Sequence, residues 1–159
     1  MAWADRLPPT TLRVELHTAP HLNDAIRRRA DAELARLEHA PAAEIDRRLE
    51  ALDREWDVER LLQANASVIV LAGLALAATV HRRFLVLPAA VFGFFALHAV
   101  QGWCPPIPVF RRLGIRTQRE IERERDAVKA LRGDFDQVPS TTDPGPGERV
   151  RAALAAVDR

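Results

Sequence analysis

The sequence predicts an all-α protein: a two-helix antiparallel transmembrane hairpin with flanking amphipathic, charged cytoplasmic helices. The first observation is the uneven charge, because only Arg82 and Arg83 of the 45 charged residues lie within residues 61–110. A single globular domain mixes charge more evenly along its length. The second observation is a pair of uncharged stretches, 61–80 and 84–103, each 20 residues long. A helix of that length spans about 30 Å, which matches the hydrocarbon core of a bilayer.

Composition divides the chain into five segments. They are an irregular N-terminal segment (1–19), charged cytoplasmic helices (20–60), the transmembrane hairpin (61–103, with spans 61–80 and 84–103), a proline-rich exit with a charged helix (104–135), and a flexible tail that can form one short helix (136–159). Within the first segment, Leu12, Val14 and Leu16 alternate with polar residues. This alternation suits a short extended stretch, although no partner strand is visible.

Two amphipathic helices are predicted before the first span. Pro20 suits the first position of one helix, and a second helix begins after Pro41. In the second helix, Ile45, Leu49 and Leu52 fall on one face, while acidic and basic residues alternate elsewhere. This pattern is typical of a solvated helix that packs one face on a partner helix, and a surface for nucleic acid or another anionic ligand is the alternative.

The two apolar stretches favour the membrane over a soluble core. The free energy of membrane insertion is roughly −3 to −6 kcal/mol for each stretch. The connection at 81–83 is so short that the two helices must run antiparallel. A soluble four-helix packing is the alternative. It would require narrow amphipathic stripes to cover all of residues 61–110, and such stripes are too narrow for that.

Arginine counting predicts that both termini are cytoplasmic. Four arginines lie within twenty residues before the first span and five within twenty residues after the second, against two in the connection. Trp56 and Trp103 bracket the apolar block and would lie on the same side, where an interfacial aromatic belt is expected. The first twenty residues include four charged residues and three prolines, so no secretory signal is predicted there.

The stretch after the second span is predicted to be semi-extended and then helical. Pro105, Pro106 and Pro108 argue against a regular helix directly after the span. Thr117 and Glu120 form a capping box, T-x-x-E, which predicts a charged helix that runs to about Arg132.

Cys104 is the one reactive candidate. It lies at the membrane edge, where neighbouring arginines could lower the pKa of its thiol, so it could carry a persulfide, form a disulfide with another subunit or ligate haem. The alternative is a small residue packed beneath Trp103. A single cysteine excludes an intrachain disulfide and a cysteine-rich zinc site.

Polar and small residues inside the spans are the other candidates. His98 is expected to bond to Asn65 or Gln63 across the hairpin, with a proton relay or metal ligand as the alternative. Small residues four apart would let helices approach closely, either within the hairpin or between protomers. These pairs are Gly73 with Ala77 and Ala89 with Gly93.

No catalytic, metal or cofactor motif occurs in the sequence. The carboxylates interleave with arginines, which is typical of salt bridges on solvated helices, and no phosphate loop or dinucleotide fingerprint is present. The net charge of +1 argues against a nucleic-acid partner.

The stretch QGWCPPIPVFRRLGIRT, placed just after a short two-helix hairpin, resembles the YgaP-like transmembrane domain family. The matching positions are Gly102, Cys104, Pro105, Leu113, Gly114 and Ile115. The resemblance covers about residues 61–116 and implies a small protein of the bacterial inner membrane. Some relatives carry a rhodanese sulfurtransferase domain, for which this chain has no room. The charged extensions at both ends depart from the family pattern.

The sequence therefore predicts a non-enzymatic membrane module that contacts the lipid bilayer and anchors or recruits a partner. The partner is either a second copy of the chain or an unidentified protein. A thiol-dependent sulfur or redox function through Cys104 is the alternative.

Overall fold

The structure, a computed structural model, describes residues 7–139 and 147–158. Helices form throughout these ranges, and no strand occurs within them, which confirms the predicted all-α class with two long apolar helices. The helices are α1 (Arg13–Leu16), α2 (Pro20–Leu37), α3 (Ala42–Arg54), α4 (Val58–Thr79), a 3₁₀ turn (Arg82–Leu85), α5 (Val86–Gln101), α6 (Ile107–Arg112), α7 (Gln118–Arg132) and α8 (Glu148–Val157).

The described residues form two compact units. The hairpin unit comprises the residues up to Arg28 together with Trp56–Glu120, and the charged-helix unit comprises Arg29–Glu55 together with the residues from Ile121 onward. Each unit has its own apolar core.

The hairpin unit is built on the long helices α4 and α5. The Asp57 carboxylate caps α4 by accepting a hydrogen bond from the backbone N–H of Arg60 at 2.9 Å. Gly102 ends α5 in the left-handed region, with φ of 84°. Both helices are long and apolar enough to cross a membrane, with 17% and 11% of their most apolar windows buried.

Small residues bring α4 and α5 together near their connection. A Cβ atom added to Gly73 would lie 2.7 Å from Cδ of Pro88 and 3.0 Å from Cβ of Leu87. Ala77, one turn further along α4, is half-buried, whereas Ala89 and Gly93 on α5 are exposed. A Cβ on Gly93 would meet no atom within 4 Å. The first pair of small residues therefore lies where the helices touch, and the second lies on the outer surface of α5.

Two short helices correct the sequence predictions for the hairpin unit. Residues 13–16 form α1 rather than an extended stretch, because only Val14 of the alternating apolar residues is buried. The proline-rich exit contains α6 rather than a fully irregular chain. Pro108 lies in the first turn of α6, where a backbone N–H has no intrahelical partner and its loss costs little.

The base core of the hairpin unit lies at the end of α4 and α5 that is remote from their connection. Its buried members are Val14, Val58, Leu62, Cys104 and Ile107. They come from α1, the first turns of α4 and the segment after α5, so this core holds the short helices against the long ones.

The charged-helix unit packs α3 against α7. Its buried apolar residues are Leu37, Ile45, Leu49, Leu52, Ile121 and Val128. Ion pairs join the helices around this core: Arg48 Nε donates to Glu124 at 2.7 Å, and Arg132 Nη1 lies 2.7 Å from Asp46 Oδ1. The helix α7 begins at Gln118, directly after Thr117 of the Thr117–Glu120 capping box, and ends at Arg132, as predicted from the sequence.

Replacing Gly73 with alanine tests the close approach of α4 and α5. The proline ring cannot move aside as a flexible side chain would, so Gly73→Ala should lower the free energy of unfolding by about 1–3 kcal/mol. Gly93→Ala is the matched control, because it adds the same methyl group to the same kind of helix without a clash. The measurement is thermal unfolding of both purified variants in detergent, and equal unfolding midpoints would contradict the close contact.

Candidate functional site at the base of the hairpin

His98 bonds to a carboxylate near the start of α4, not to an amide. Its Nε2 lies 2.9 Å and 3.1 Å from the two carboxylate oxygens of Glu59. The predicted partners Gln63 and Asn65 are exposed, so that expectation was wrong. The buried face of α4 follows Leu62, Ala66 and Gly73, and Glu59 lies one turn before Leu62 on that face. The helical spacing of these apolar residues could have shown from the sequence that Glu59 lies on the buried face.

Arg13 extends this pair into a three-residue chain. Arg13 Nη2 lies 2.7 Å from Glu59 Oε1, so α1 is tied to the first turn of α4. The Glu59 carboxylate thus lies between a guanidinium on one side and the His98 ring on the other. Among the described residues, His98 Nδ1 and Arg13 Nε are buried with no hydrogen-bond partner.

Gly102 provides the surface on which α1 rests. A Cβ atom at this position would lie 2.5 Å from both Cβ and the carbonyl oxygen of Arg13. Any side chain would therefore displace the backbone of α1, in addition to straining a φ of 84°. The glycine of the Gly-x-Cys-Pro stretch has a structural reason here: it lets α1 lie directly against the end of α5.

Arg111 forms a second buried ion pair at the base. Its two terminal nitrogens donate to the two carboxylate oxygens of Glu120 at 2.6 Å and 2.7 Å. The same guanidinium donates to the carbonyl of Ile115 at 3.0 Å and to the side-chain oxygen of Asn23 at 2.8 Å. These bonds join α2, α6 and the start of α7. In the sequence analysis Arg111 entered only as a positive charge, because no pattern of the neighbouring residues indicates that it is buried.

The pKa of Glu120 is lowered from its usual value. Burial of the carboxyl raises the pKa, but the Arg111 hydrogen bonds, the backbone N–H of Thr117 and the Arg111 charge together outweigh it. Glu120 is also the acid of the capping box, since Thr117 N donates to Glu120 Oε2 at 2.8 Å. One carboxylate thus caps α7 and neutralises a buried guanidinium.

Cys104 is a buried free thiol in the base core. Burial raises the pKa of this thiol, whereas the sequence suggested that neighbouring arginines would lower it. Arg111 is bound to Glu120 instead. An apolar groove of about 230 Å³ lies between α4 and α5, and Asn65, Ile69 and Phe94 are among its lining residues. Cys104 and Pro105 line one end of this groove.

Two tryptophans lie at this end of the hairpin unit. The Trp103 ring is edge-on to Phe94, with 6.3 Å between the ring centroids. Trp56 is 45% exposed, and the guanidinium carbon of Arg60 lies 4.4 Å from its ring centroid. Trp56 therefore presents an aromatic face together with a cation.

The described residues hold no group of three or more His, Cys, Asp and Glu side chains that could bind a metal ion. No family model matches the chain, and no curated protein or solved structure matches it either. The resemblance to the YgaP-like transmembrane domain family therefore stays a prediction that rests on residues 61–116.

Glu120→Gln is expected to destabilise the protein by about 3–5 kcal/mol, because it leaves the Arg111 charge buried without a counter-ion. Glu50→Gln is the control: its pair with Arg54, at 3.4 Å, is exposed, and its loss should cost less than about 1 kcal/mol. Chemical denaturation at neutral pH measures both. Similar losses for the two variants would contradict the buried pair.

The same pair predicts a pH dependence. The folded-state pKa of Glu120 is depressed, so its contribution is complete above the unfolded-state pKa of about 4.3 and is lost as pH falls through the folded value. Stability should therefore decrease below about pH 4, and less steeply in Glu120→Gln. Unfolding midpoints recorded from pH 3 to pH 7 would show this, and parallel profiles would refute it.

The Cys104 thiol is expected to alkylate slowly at neutral pH. Burial limits access and disfavours the thiolate, which is the reactive form. The measurement is the rate of iodoacetamide labelling in mild detergent, compared with the rate after full denaturation. A folded-state rate equal to that of a free thiol at the same pH would show that Cys104 is accessible and activated.

Proposed function

We propose that the chain is an integral membrane protein whose helices α4 and α5 cross the bilayer as an antiparallel hairpin. The observation that supports this is the exposure of their apolar surface. A core helix of a soluble protein is mostly buried, whereas the most apolar windows of these two helices are 17% and 11% buried. Among the described residues, Val68 and Leu71 on α4 and Val86 and Phe92 on α5 are each more than 60% exposed. Lipid would cover this surface.

We further propose a non-enzymatic role as a membrane anchor or interaction module. The residues at the base pair with one another: Glu59 with His98 and Arg13, and Arg111 with Glu120. Such closed pairs tie helices together, and they leave no general base or nucleophile facing a substrate. The charged-helix unit would supply the surface for a partner, either an unidentified protein or a second copy of the chain.

The proposed location is the bacterial inner membrane with both termini in the cytoplasm. Four and five arginines flank the base of the hairpin, against two at its connection. Arg82 and Arg83 at the connection are exposed and can reach the far headgroups.

A thiol function through Cys104 is the alternative, and the base geometry favours it less. The thiol packs among Val14, Val58 and Leu62 rather than facing water, and its pKa is raised. Its place at the end of the groove between α4 and α5 is the one observation that leaves it open to an apolar reagent.

Leu71→Asp tests whether α4 lies in lipid. In water, an aspartate at a position that is 67% exposed should be harmless. Inside a bilayer it should cost about 3 kcal/mol or more of insertion free energy, a large share of what the span gains. We expect a smaller carbonate-resistant membrane fraction for this variant.

Val150→Asp is the matched control, because Val150 is 61% exposed on α8 of the charged-helix unit. Its carbonate-resistant fraction should equal that of the unaltered chain. Complete release of the unaltered chain by alkaline carbonate would refute the proposed hairpin. Orientation is measured by labelling Arg82→Cys in a Cys104→Ser background, and labelling from the cytoplasmic side alone would refute the proposed topology.

A further inference from the structure

The helix α6 has two chemically different faces. Ile107 and Arg111 are buried on the inner face, where Ile107 packs in the base core and Arg111 binds Glu120. Val109 and Arg112 point outward and are exposed, as is Leu113 directly after the helix. Val109 is 52% and Leu113 70% exposed, and the latter is the highest value among the large apolar side chains described. The outer face thus carries two exposed apolar side chains beside one cation.

The position of α6 along the hairpin unit is fixed by its inner face. Ile107 shares the base core with Val58 and Leu62, which belong to the first two turns of α4. The uncharged stretch of α4 begins at residue 61. The outer face of α6 is therefore level with the point where the chain changes from charged to apolar. In a membrane-spanning hairpin that level is the headgroup layer.

Two exposed cations at this level, Arg112 and Arg60, lack anionic partners within the described residues. Arg112 forms no hydrogen bond or ion pair there, in contrast to its neighbour Arg111, whose guanidinium is bound on both sides. Arg60 contacts the Trp56 ring rather than a carboxylate. Tryptophan and arginine are the residues that proteins commonly place in the headgroup layer.

We propose that the outer face of α6, together with Trp56 and Arg60, binds the surface of an anionic phospholipid leaflet. Val109 and Leu113 enter the boundary between headgroups and acyl chains, and Arg112 and Arg60 bind lipid phosphates. The complementary charge selects anionic lipid, and the outward apolar pair selects a lipid surface over a free phosphate. This inference rests on the proposed membrane hairpin.

Depth measurement tests the apolar part of the proposal. A spin label is attached to Leu113→Cys in the Cys104→Ser background, and the protein is reconstituted into phosphatidylcholine vesicles with one quarter phosphatidylglycerol. The reference labels are Leu71→Cys for the bilayer interior and Val150→Cys for water. We expect the Leu113 label to collide with oxygen dissolved in lipid more than the Val150 label does, and to lie shallower than the Leu71 label.

Lipid preference tests the charged part. Energy transfer from tryptophan to pyrene-labelled phosphatidylglycerol, compared with pyrene-labelled phosphatidylcholine, reports which lipid surrounds the protein. Arg112→Gln should weaken the preference for phosphatidylglycerol about fivefold, the effect of one basic residue at an anionic surface. Arg47→Gln is the control, because it removes the same charge from an exposed position of α3.

The outcomes separate this inference from the proposed hairpin. A Leu113 label as accessible to water as the Val150 label, with the Leu71 label in lipid, overturns the α6 surface alone. A Leu113 label shielded from both water and lipid also overturns it, because a protein partner then covers α6. Equal losses of lipid preference in Arg112→Gln and Arg47→Gln overturn the specific role of Arg112. A water-accessible Leu71 label overturns both the hairpin and the inference.

Discussion

The main constraint on the hairpin unit is the exposed apolar surface of α4 and α5, which the rest of the unit does not cover. The helices α4 and α5 touch near Gly73 and Pro88 and again through Glu59 and His98, and few of the residues in their most apolar windows are buried. If lipid covers this surface, as proposed, ionised groups on it would be costly. The buried charges of this unit are accordingly found at its base, where Glu59 lies between His98 and Arg13, and Arg111 is held by Glu120.

The features that could be predicted from the sequence depend on contacts between near neighbours in the chain. The uncharged stretches gave two long apolar helices, and the Thr117–Glu120 capping box gave the start of α7, because helical periodicity and capping are local. The helix α6 was missed, since prolines argue against a helix unless they fall in its first turn. The alternating pattern of residues 12–16 predicted an extended stretch, but these residues form α1, and the residues that bury Val14 are distant in the chain.

The candidate site shows the same division. Cys104, His98 and Gly102 were recognised as unusual residues, but their partners come from distant parts of the chain. The helical spacing of α4 places Glu59 on its buried face, but it does not identify His98, 39 positions away, as the partner. The geometry also changes how the Gly-x-Cys-Pro stretch is interpreted. Because Gly102 has no side chain, the backbone of α1 can pack directly against it. Cys104 is buried in the base core, so packing accounts for both residues.

The contacts of α1 also impose an order of events during synthesis. Glu15 reaches Arg119, which is 104 positions later in the chain, and Arg13 needs both Glu59 and the backbone at Gly102. The N-terminal segment leaves the ribosome long before any of these partners exists. Docking of α1 on the base core requires residues up to Ile107, and its contact with Arg119 requires a later part of the chain. A nascent chain halted before residue 102 would lack most of the surface on which α1 rests, so the base of the hairpin cannot be complete until both apolar helices have been synthesised.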